Sequence, residues 1–525
     1  MLEERAIGPP GTGKTTFLSR VLGYNAQEYG ADRVMAVSFT RAAAAELVGR
    51  DTPVPPENIG TLHHFAFAAL DKPPLAQSGD LLRAFGEEYP QWETAANRNI
   101  EDFEFGTSEG DDMLAEYSRL RNLCLPRERW PLDVARFATA WDDYKAQTES
   151  IDFCDMIEIA ATDTDSPLQE PAVMVVDECQ DTSRLQWRLI NRWAAHPDCE
   201  KLVTAGDVDQ CIFAWAGADA DYLLDHQPDR RKVLEQSYRV PRSVHAFATA
   251  WIQQVSRRED VTYLPRDYNG EVLRTAATTR YPEPILWDIE QYLAEGKSVM
   301  VQASCGYMLR PLLTLLRREA IPFSNPWRRQ DGSWNPLFSR NENSTVGGVL
   351  AFLRPHTVGE AWDKPALLKW LELTKGVLKR GGRELIGQYL ADQSTPEEVL
   401  DTLANQLQDE NDLSRLLAPP PDGLDWLQEN LKAAKVKPAE YPLRVARQRG
   451  VACLQEEPRL YIGTCHSFKG AEADVVIVFP DLSFQGYQQW VSGSRDEIVR
   501  LFYVAATRAR ETLVLGMSTG MGVWS

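Results

Sequence analysis

Residues 8–15 read Gly-Pro-Pro-Gly-Thr-Gly-Lys-Thr and fit the pattern G-x-x-x-x-G-K-[ST]. No other feature constrains the fold as strongly, because such a loop requires a strand before it and a helix after it. The backbone N–H groups of the loop then surround a phosphate group, and the positive end of the helix points towards it. The few residues before Gly8 leave room only for a short strand. The pattern predicts an α/β domain with a phosphate site close to residue 8.

Seven short apolar segments favour strands buried on both faces of a parallel sheet, and helical patterns lie between them. They are residues 33–37, 172–176, 201–205, 298–302, 460–464, 475–479 and 512–515. Two longer stretches, near 69–150 and 336–451, are helix-like without a convincing strand. The alternation predicts an α/β protein with helical insertions.

Composition narrows the class of protein. A chain of 525 residues with 43% hydrophobic residues is long enough for three or four packed domains. It has no apolar run of membrane-spanning length and no signal peptide, and its eight cysteines lack paired spacing, which predicts a reduced, cytoplasmic protein. The net charge of −20 argues against nucleic acid as a partner unless a local basic groove overrides it.

Carboxylates follow the predicted strand 172–176. Asp177 suits a magnesium ligand and Glu178 suits the polarisation of an attacking water, which is the division of labour that phosphate hydrolysis requires. Taken alone, the pair could be an acidic helix cap. Because the phosphate loop lies upstream, we favour the catalytic interpretation.

Three further polar residues could sense or stabilise the phosphates. Gln210 follows the strand 201–205, and its neutral amide suits a γ-phosphate sensor. Arg239 and Arg508 could stabilise transition-state charge, although either arginine alone could equally form a surface ion pair.

These blocks, taken in order, resemble the superfamily 1 helicases of the UvrD/Rep/PcrA type over nearly the whole chain. The segments that carry the resemblance are the phosphate loop and residues 37–46, 61–65, 152–156, 173–181, 206–219, 237–239, 464–472 and 497–510. Three features depart from the family pattern. The chain starts too late for the glutamine that reads adenine in the family, and a long C-terminal tail is missing. In the segment 206–219, Ala216 stands where the family has arginine. The first departure predicts weak adenine selectivity.

The resemblance implies roles for particular residues. ATP would contact Gly8, Pro9, Pro10, Gly11, Thr12, Gly13, Lys14, Thr15, Thr16 and Glu472, with Mg²⁺ on Thr15 and Asp177 and with Glu178, Gln210, Arg239 and Arg508 as catalytic residues. Single-stranded DNA would contact Phe39, Thr40, His63, Phe213, Trp215, Thr464 and His466. Aromatic side chains suit this task because stacking on bases tolerates any sequence. For Phe213 and Trp215 alone, ordinary core packing is the alternative.

The expected architecture is α/β, with two RecA-like parallel-sheet lobes around an ATP cleft, each with a mainly helical insertion. We expect the first lobe at 1–68 and 151–225 with the insertion 69–150, and the second at 226–335 and 452–525 with the insertion 336–451. The implied function is an ATP-dependent helicase that moves 3′ to 5′ on single-stranded DNA and acts at single-strand/duplex junctions. The alternative is a translocase that displaces proteins from DNA without useful unwinding; the sequence names no protein partner.

A basic stretch marks the second insertion. Seven lysines lie between Lys364 and Lys437, and Lys379 begins the turn Lys-Arg-Gly-Gly-Arg. This turn could approach a duplex backbone, or it could belong to a solvated helix face.

Overall fold

A computed structural model describes residues 1–50, 52–94, 108–328, 332–337, 344–357, 361–391 and 394–524. The chain forms two compact units. The first unit contains Met1–Arg274, Cys465–Leu515 and Gly520–Ser525, and the second contains Thr275–Thr464 and Gly516–Thr519.

The strands are short, between three and seven residues. They are β1 Leu2–Ile7, β2 Val34–Ser38, β3 Ile59–Thr61, β4 Val173–Val176, β5 Lys201–Gly206, β6 Arg230–Val233, β7 Gln236–Pro241, β8 Leu264–Arg266, β9 Glu271–Arg274, β10 Val299–Ala303, β11 Leu460–Thr464, β12 Ala473–Val478 and β13 Ala509–Leu515. All seven predicted strands are therefore present.

Helices alternate with these strands and also fill the two stretches without predicted strands. They are α1 Lys14–Tyr29, α2 Arg41–Val48, α3 Leu62–Ala69, α4 Gly79–Glu88, α5 Glu109–Asn122, α6 Leu132–Gln147, α7 Phe153–Asp163, α8 Arg184–Ala194, α9 Ala220–Asp225, α10 Arg242–Ile252, α11 Leu286–Ala294, α12 Arg310–Arg318, α13 Thr345–Thr357, α14 Lys364–Leu371, α15 Gly382–Tyr389, α16 Pro396–Gln406, α17 Asp412–Leu416, α18 Asp422–Glu429, α19 Ala433–Arg449, α20 Phe484–Ser492 and α21 Asp496–Ala506.

The first sheet has six parallel strands in the order β3-β2-β4-β5-β1-β6. Its central strands are buried along almost their whole length because helices cover both faces. The register pairs Ile7 with Gly206, so the phosphate loop after β1 and the Asp207 segment after β5 leave the sheet side by side. Ligands of open parallel sheets bind at this carboxyl edge.

A second parallel sheet has five strands. In the first unit β13 pairs with β12 and β9, and in the second unit β10 pairs with β11. The predicted class, α/β with two parallel sheets as in RecA-like lobes, is confirmed.

The helices α4, α5 and α6 of the first unit enclose their own aromatic core, which includes Phe85 and Trp141. Asp152 connects this core to the lobe. It caps α7 and accepts hydrogen bonds from Lys145 at 2.6 Å, Trp141 at 3.0 Å and Tyr117 at 3.1 Å. A buried carboxylate is stable only with such partners, so the Asp-Phe-Cys-Asp segment at 152–155 holds the helical stretch to the sheet.

In the second unit, described residues between 344 and 449 form the helices α13 to α19, packed around Phe352, Trp362, Trp370 and Trp426. The predicted limits of both insertions stay predictions. None of the eight cysteines forms a disulfide. Within the described residues, every helix is too short or too polar to cross a membrane.

Candidate nucleotide site and aromatic cluster

The phosphate loop, residues 8–16, joins β1 to the first turn of α1. Gly13 caps that helix in the left-handed region with φ of 81°, a conformation that favours glycine. At Gly8 a Cβ atom would lie 2.3 Å from Lys14 Cγ, so any side chain there would displace the lysine. Lys14 Nζ donates to the Gly8 carbonyl at 2.8 Å, and the Thr12 hydroxyl donates to the Pro9 carbonyl at 2.8 Å. The sequence pattern therefore folds into a loop held around its own lysine.

The carboxylates of Asp177 and Glu178 follow β4 at the same edge. Asp177 is buried, and its Oδ1 accepts a hydrogen bond from the Glu178 backbone N–H at 2.8 Å. Glu178 has φ of 50°, which is unusual for a residue with a side chain. Such backbone strain is found mostly at functional sites.

Charge distinguishes the two carboxylates. Burial and the neighbouring Glu178 raise the pKa of Asp177 to about 7. Burial alone would also raise the pKa of Glu178, but the positive charges of Lys14 and Lys469 outweigh it and lower that pKa to about 2. Glu178 is therefore ionised at neutral pH, whereas Asp177 needs a further cation beside it to be fully ionised.

The residues present fit a magnesium ion bound together with a nucleotide. Mg²⁺ usually binds to one or two protein oxygens, and phosphates and water complete its shell. Asp177 supplies one such oxygen and the Thr15 hydroxyl, in the first turn of α1, is the second candidate. The described residues contain no group of three or more His, Cys, Asp or Glu side chains that could hold a metal without a nucleotide.

A chain of hydrogen bonds connects Glu178 to Gln210. Gln180 Nε2 donates to Glu178 at 2.5 Å, and Gln180 Oε1 accepts from the Asp207 backbone N–H at 3.0 Å. Asp207 in turn accepts from Gln210 Nε2 at 2.8 Å. At Gly206 a Cβ atom would lie 2.4 Å from Gln180 Oε1, so the close approach of this glutamine depends on glycine. Gln180 was not among the residues predicted from the sequence.

Arg508 continues this chain from the end of α21. Its side chain is 2% exposed, donates to Gln210 Oε1 at 3.3 Å and is held by the Val504 carbonyl at 2.9 Å. Burial and the nearby Arg239 lower the pKa of Arg508 to about 9, so the guanidinium remains charged at neutral pH. Arg508 is therefore not a surface ion pair.

Arg239 lies against the phosphate loop. A Cβ atom on Gly11 would be 2.5 Å from Arg239 Cβ, and Arg239 Nε donates to Glu472 at 2.5 Å. The preceding Tyr238 donates its backbone N–H to the Gly11 carbonyl at 2.8 Å and leaves its ring 72% exposed. The structure thus places Arg239 against the loop with Glu472 paired to it, whereas the contact of Arg508 is with Gln210. Tyr238, which was not predicted from the sequence, also contacts the loop.

Lys469 contacts three parts of the site at once. Its ammonium group pairs with the buried carboxylate of Asp181, donates to the Gln210 carbonyl at 2.7 Å and lies 5.0 Å from the centre of the Phe213 ring. This lysine connects the carboxylates after β4 to an aromatic cluster.

The aromatic cluster consists of Phe39, Phe213, Trp215 and His466. Phe39 stacks on Phe213 with ring centres 5.1 Å apart, and His466 lies 6.0 Å from Phe213 and 6.2 Å from Trp215. Phe213 is buried beneath its neighbours, whereas the other three rings are half-buried. The accessible aromatic faces therefore belong to Phe39, Trp215 and His466.

The other three predicted strand contacts lie differently. Thr40 caps α2 by accepting the Ala43 N–H at 3.1 Å, and Thr464 is buried at the end of β11 in the second unit. His63 packs edge-on against Phe153 at 5.7 Å, and burial lowers its pKa to about 4. Their roles towards DNA stay predictions.

At Ala216, where the family pattern has arginine, Asn122 from the end of α5 contacts the backbone. Asn122 Nδ2 donates to the Ala216 carbonyl at 3.1 Å, and its Oδ1 accepts from the Ser183 hydroxyl at 3.0 Å. This contact connects the helical stretch of the first unit to the loop that carries Trp215.

Comparisons with known proteins agree with this geometry. Residues 6–231 match the model of the UvrD/REP helicase N-terminal domain, and residues 459–515 match that of the UvrD-like helicase C-terminal domain. Together these matches cover more than half of the chain.

Several curated proteins are similar to parts of the chain. "ATP-dependent DNA helicase PcrA" of Leuconostoc citreum is 27% identical over 277 residues, which are 47% of this chain and 37% of the relative. "Probable DNA helicase II homolog" of Mycoplasma pneumoniae is 27% identical over 308 residues, or 52% and 42% of the two chains. "ATP-dependent DNA helicase UvrD1" of Mycobacterium leprae is 24% identical over 401 residues, or 66% and 50%. The matches thus span half or less of each relative. On the two domain matches, the chain belongs to the UvrD/REP helicase family.

Proposed function

We propose that this chain is an ATP-driven motor that moves along single-stranded DNA, in the 3′ to 5′ direction that the resemblance implies, and separates duplex DNA. The observation that carries the proposal is the chain of hydrogen bonds from Glu178 through Gln180, Asp207 and Gln210 to Arg508. It connects a catalytic carboxylate to an arginine from a distant part of the sequence. Such a connection lets hydrolysis depend on the arrangement of both parts.

In this proposal the phosphate loop binds the phosphates of ATP. Lys14 releases the Gly8 carbonyl and turns to the β- and γ-phosphates, while the N–H groups at the start of α1 donate to their oxygens. Thr15 and Asp177 would hold Mg²⁺, which neutralises phosphate charge when bound, and Thr16 would contact the phosphates from the same turn. Glu472 would hold the ribose, and the exposed ring of Tyr238 would stack on the base.

Glu178 would orient and polarise the attacking water. Its low pKa keeps it ionised, and the hydrogen bond from Gln180 fixes its carboxylate. Arg508 and Arg239 would stabilise the charge that develops on the γ-phosphate, and Gln210 would report whether that phosphate is present.

The aromatic cluster would bind the strand. Phe39, Trp215 and His466 offer partly exposed rings on which bases can stack, at about 1–3 kcal/mol for each base. Phe213 supports them from beneath. Lys469 contacts both Phe213 and the Gln210 carbonyl, so a displacement of the cluster reaches the phosphate sensor. The family pattern also assigns His63, Thr40 and Thr464 to the strand.

The partners in this proposal are single-stranded DNA and single-strand/duplex junctions, and the reduced cysteines suit the cytosol. The test is the ATP-dependent separation of duplexes with 3′ or 5′ single-stranded tails. We expect separation of the 3′-tailed duplex and no separation with Glu178→Gln. Displacement of streptavidin from biotinylated single strands without separation of any duplex would instead favour the protein-displacing translocase.

A further inference from the structure

A cavity of about 180 Å³ lies among the helices of the second unit. It is bounded by the N-terminal ends of α13, α15 and α19 and by α14 with its C-terminal cap. Its polar lining consists of Ser344, Lys369, Glu372, Arg383, Lys432 and Lys435. It lies in the second unit, and every residue of the nucleotide site lies in the first.

The lining carries four cationic groups and one carboxylate. Glu372 pairs with Arg383 through its carboxylate, and its backbone carbonyl accepts from Lys432 Nζ at 2.7 Å. Lys369 and Lys435 are half-buried, and their ammonium groups form no ion pair or hydrogen bond with the residues that the structure describes. Among the lining residues that the structure describes, positive charges therefore outnumber negative ones.

Two of the helices that begin at this cavity, α13 and α19, add to its positive potential. Ser344 precedes α13 and accepts the Gly347 backbone N–H at 2.9 Å. Lys432 caps α19, and Lys435 lies in its first turn, which contains no acidic residue. Lysine is unfavourable beside the positive end of a helix, where Asp or Glu would be stabilising. A sequence that breaks this local rule commonly does so at a functional site.

We propose that this cavity binds a terminal phosphate group, supplied by the 5′-phosphorylated end of a nucleic-acid strand or by a free nucleotide or phosphate. Lys369 and Lys435 would contact the phosphate oxygens, while Arg383 and Lys432 stay on Glu372 and hold the walls. A compact dianion matches the small volume and the convergence of charges from several helices.

This site differs from the basic turn that begins at Lys379. The Lys379 ammonium donates to the Asn405 carbonyl at 2.9 Å, and Gly381 caps α15 with φ of 78°. The turn therefore has a role within the helical fold, and Arg383 at its end faces Glu372 in the cavity.

The first test measures the binding of the full chain to short single strands that differ only in a 5′-phosphate or a 5′-hydroxyl group. Fluorescence anisotropy at constant ionic strength should give binding about tenfold tighter for the phosphorylated strand. Lys369→Gln with Lys435→Gln should bring this ratio to about one. The matched control, Lys375→Gln with Lys437→Gln, removes the same two charges from exposed positions outside the cavity and should keep the preference.

The second arm uses inorganic phosphate and calorimetry. Because the nucleotide site is intact in every variant, binding lost only with Lys369→Gln and Lys435→Gln belongs to the cavity. If the glutamine variant loses phosphate binding while the wild type binds both strands equally, the source of the phosphate is free phosphate or nucleotide. If the glutamine variant does not fold, Lys369→Arg with Lys435→Arg, which keeps the charges, must retain binding.

Equal affinity for both strands together with no phosphate binding that depends on Lys369 and Lys435 would overturn the proposal. An acidic peptide that binds the cavity more tightly than phosphate would overturn the choice of ligand. Both results are separable from failure of the proposed motor, because ATP hydrolysis in the first unit is measured on the same samples.

Discussion

Lys469→Met removes the cation from a buried ion pair while it keeps most of the side-chain volume. Lys469 and Asp181 are 9% and 1% exposed in their side chains, so the aspartate would remain buried without its partner. Breaking such a pair typically costs about 3–5 kcal/mol of folding free energy. The cost depends on pH, because a buried carboxylate without a cation can escape it by taking up a proton.

The direction of the pH effect follows from the pKa of Asp181. Burial raises that pKa to about 7 even with Lys469 present, and loss of the lysine must raise it further. When the pKa of an acid is higher in the folded state than in the unfolded state, the free energy of unfolding decreases as the pH rises from the unfolded-state pKa to the folded-state pKa. Above the folded-state pKa it decreases no further. In the wild type this decrease in the free energy of unfolding ends near pH 7, whereas in the variant it continues at about 1.4 kcal/mol for each pH unit. The stability deficit of the variant, which is its free energy of unfolding subtracted from that of the wild type, should therefore grow by about 2 kcal/mol between pH 7 and pH 8.5.

Differential scanning calorimetry of the wild type and the variant at pH 6, 7 and 8.5 measures this deficit through the melting temperature of the first unit. The matched control is Asp181→Asn with Lys469→Met, which removes both charges and should show no growth of the deficit with pH. An equal deficit at all three pH values in the single variant would refute the buried pair and its effect on Asp181.

Three further predictions concern the proposed roles. Lys14→Ala should weaken ATP binding, whereas Glu178→Gln should bind ATP normally and lose steady-state hydrolysis; unchanged turnover in either variant would contradict these roles. Arg508→Ala should lower DNA-stimulated hydrolysis at least about a hundredfold with near-normal strand affinity, and Arg508→Lys should restore little because a point charge cannot replace the planar guanidinium. Because burial lowers the pKa of His63 to about 4, the free energy of unfolding should fall as the pH drops from about 6.5 to 4, and denaturation curves should show a smaller fall with His63→Asn.

Strands with a clear apolar pattern could be predicted from the sequence, and the others could not. All seven predicted strands are present because each is buried and apolar. The strand β6 reads Arg-Arg-Lys-Val and is mostly exposed, since it is the edge strand beside β1. Its conformation depends on pairing with β1 and not on its own residues, so no local pattern indicates it.

The residues of the candidate site could be predicted where they lie together in a short sequence motif. The loop that contains Lys14 and the pair at 177–178 belong to this class. Lys469 and Gln180 do not, because their importance depends on contacts between distant parts of the chain. Lys469 is 288 residues from Asp181 in sequence, and only the fold brings the two together. The cavity around Lys369 and Lys435 could not be predicted from the sequence either, because its lining residues come from distant parts of the chain.

In the proposed motor, strand binding and ATP hydrolysis are coupled through the residues between the aromatic cluster and the phosphate loop. The most direct measurement is the steady-state rate of ATP hydrolysis with Mg²⁺, in the absence and presence of saturating single-stranded DNA. We expect DNA to stimulate the rate at least about tenfold, equivalent to about 1.4 kcal/mol of activation barrier, and we expect Trp215→Ala to lose this stimulation at saturating DNA. Equal rates with and without DNA in the wild-type protein would show that strand binding and hydrolysis are not coupled.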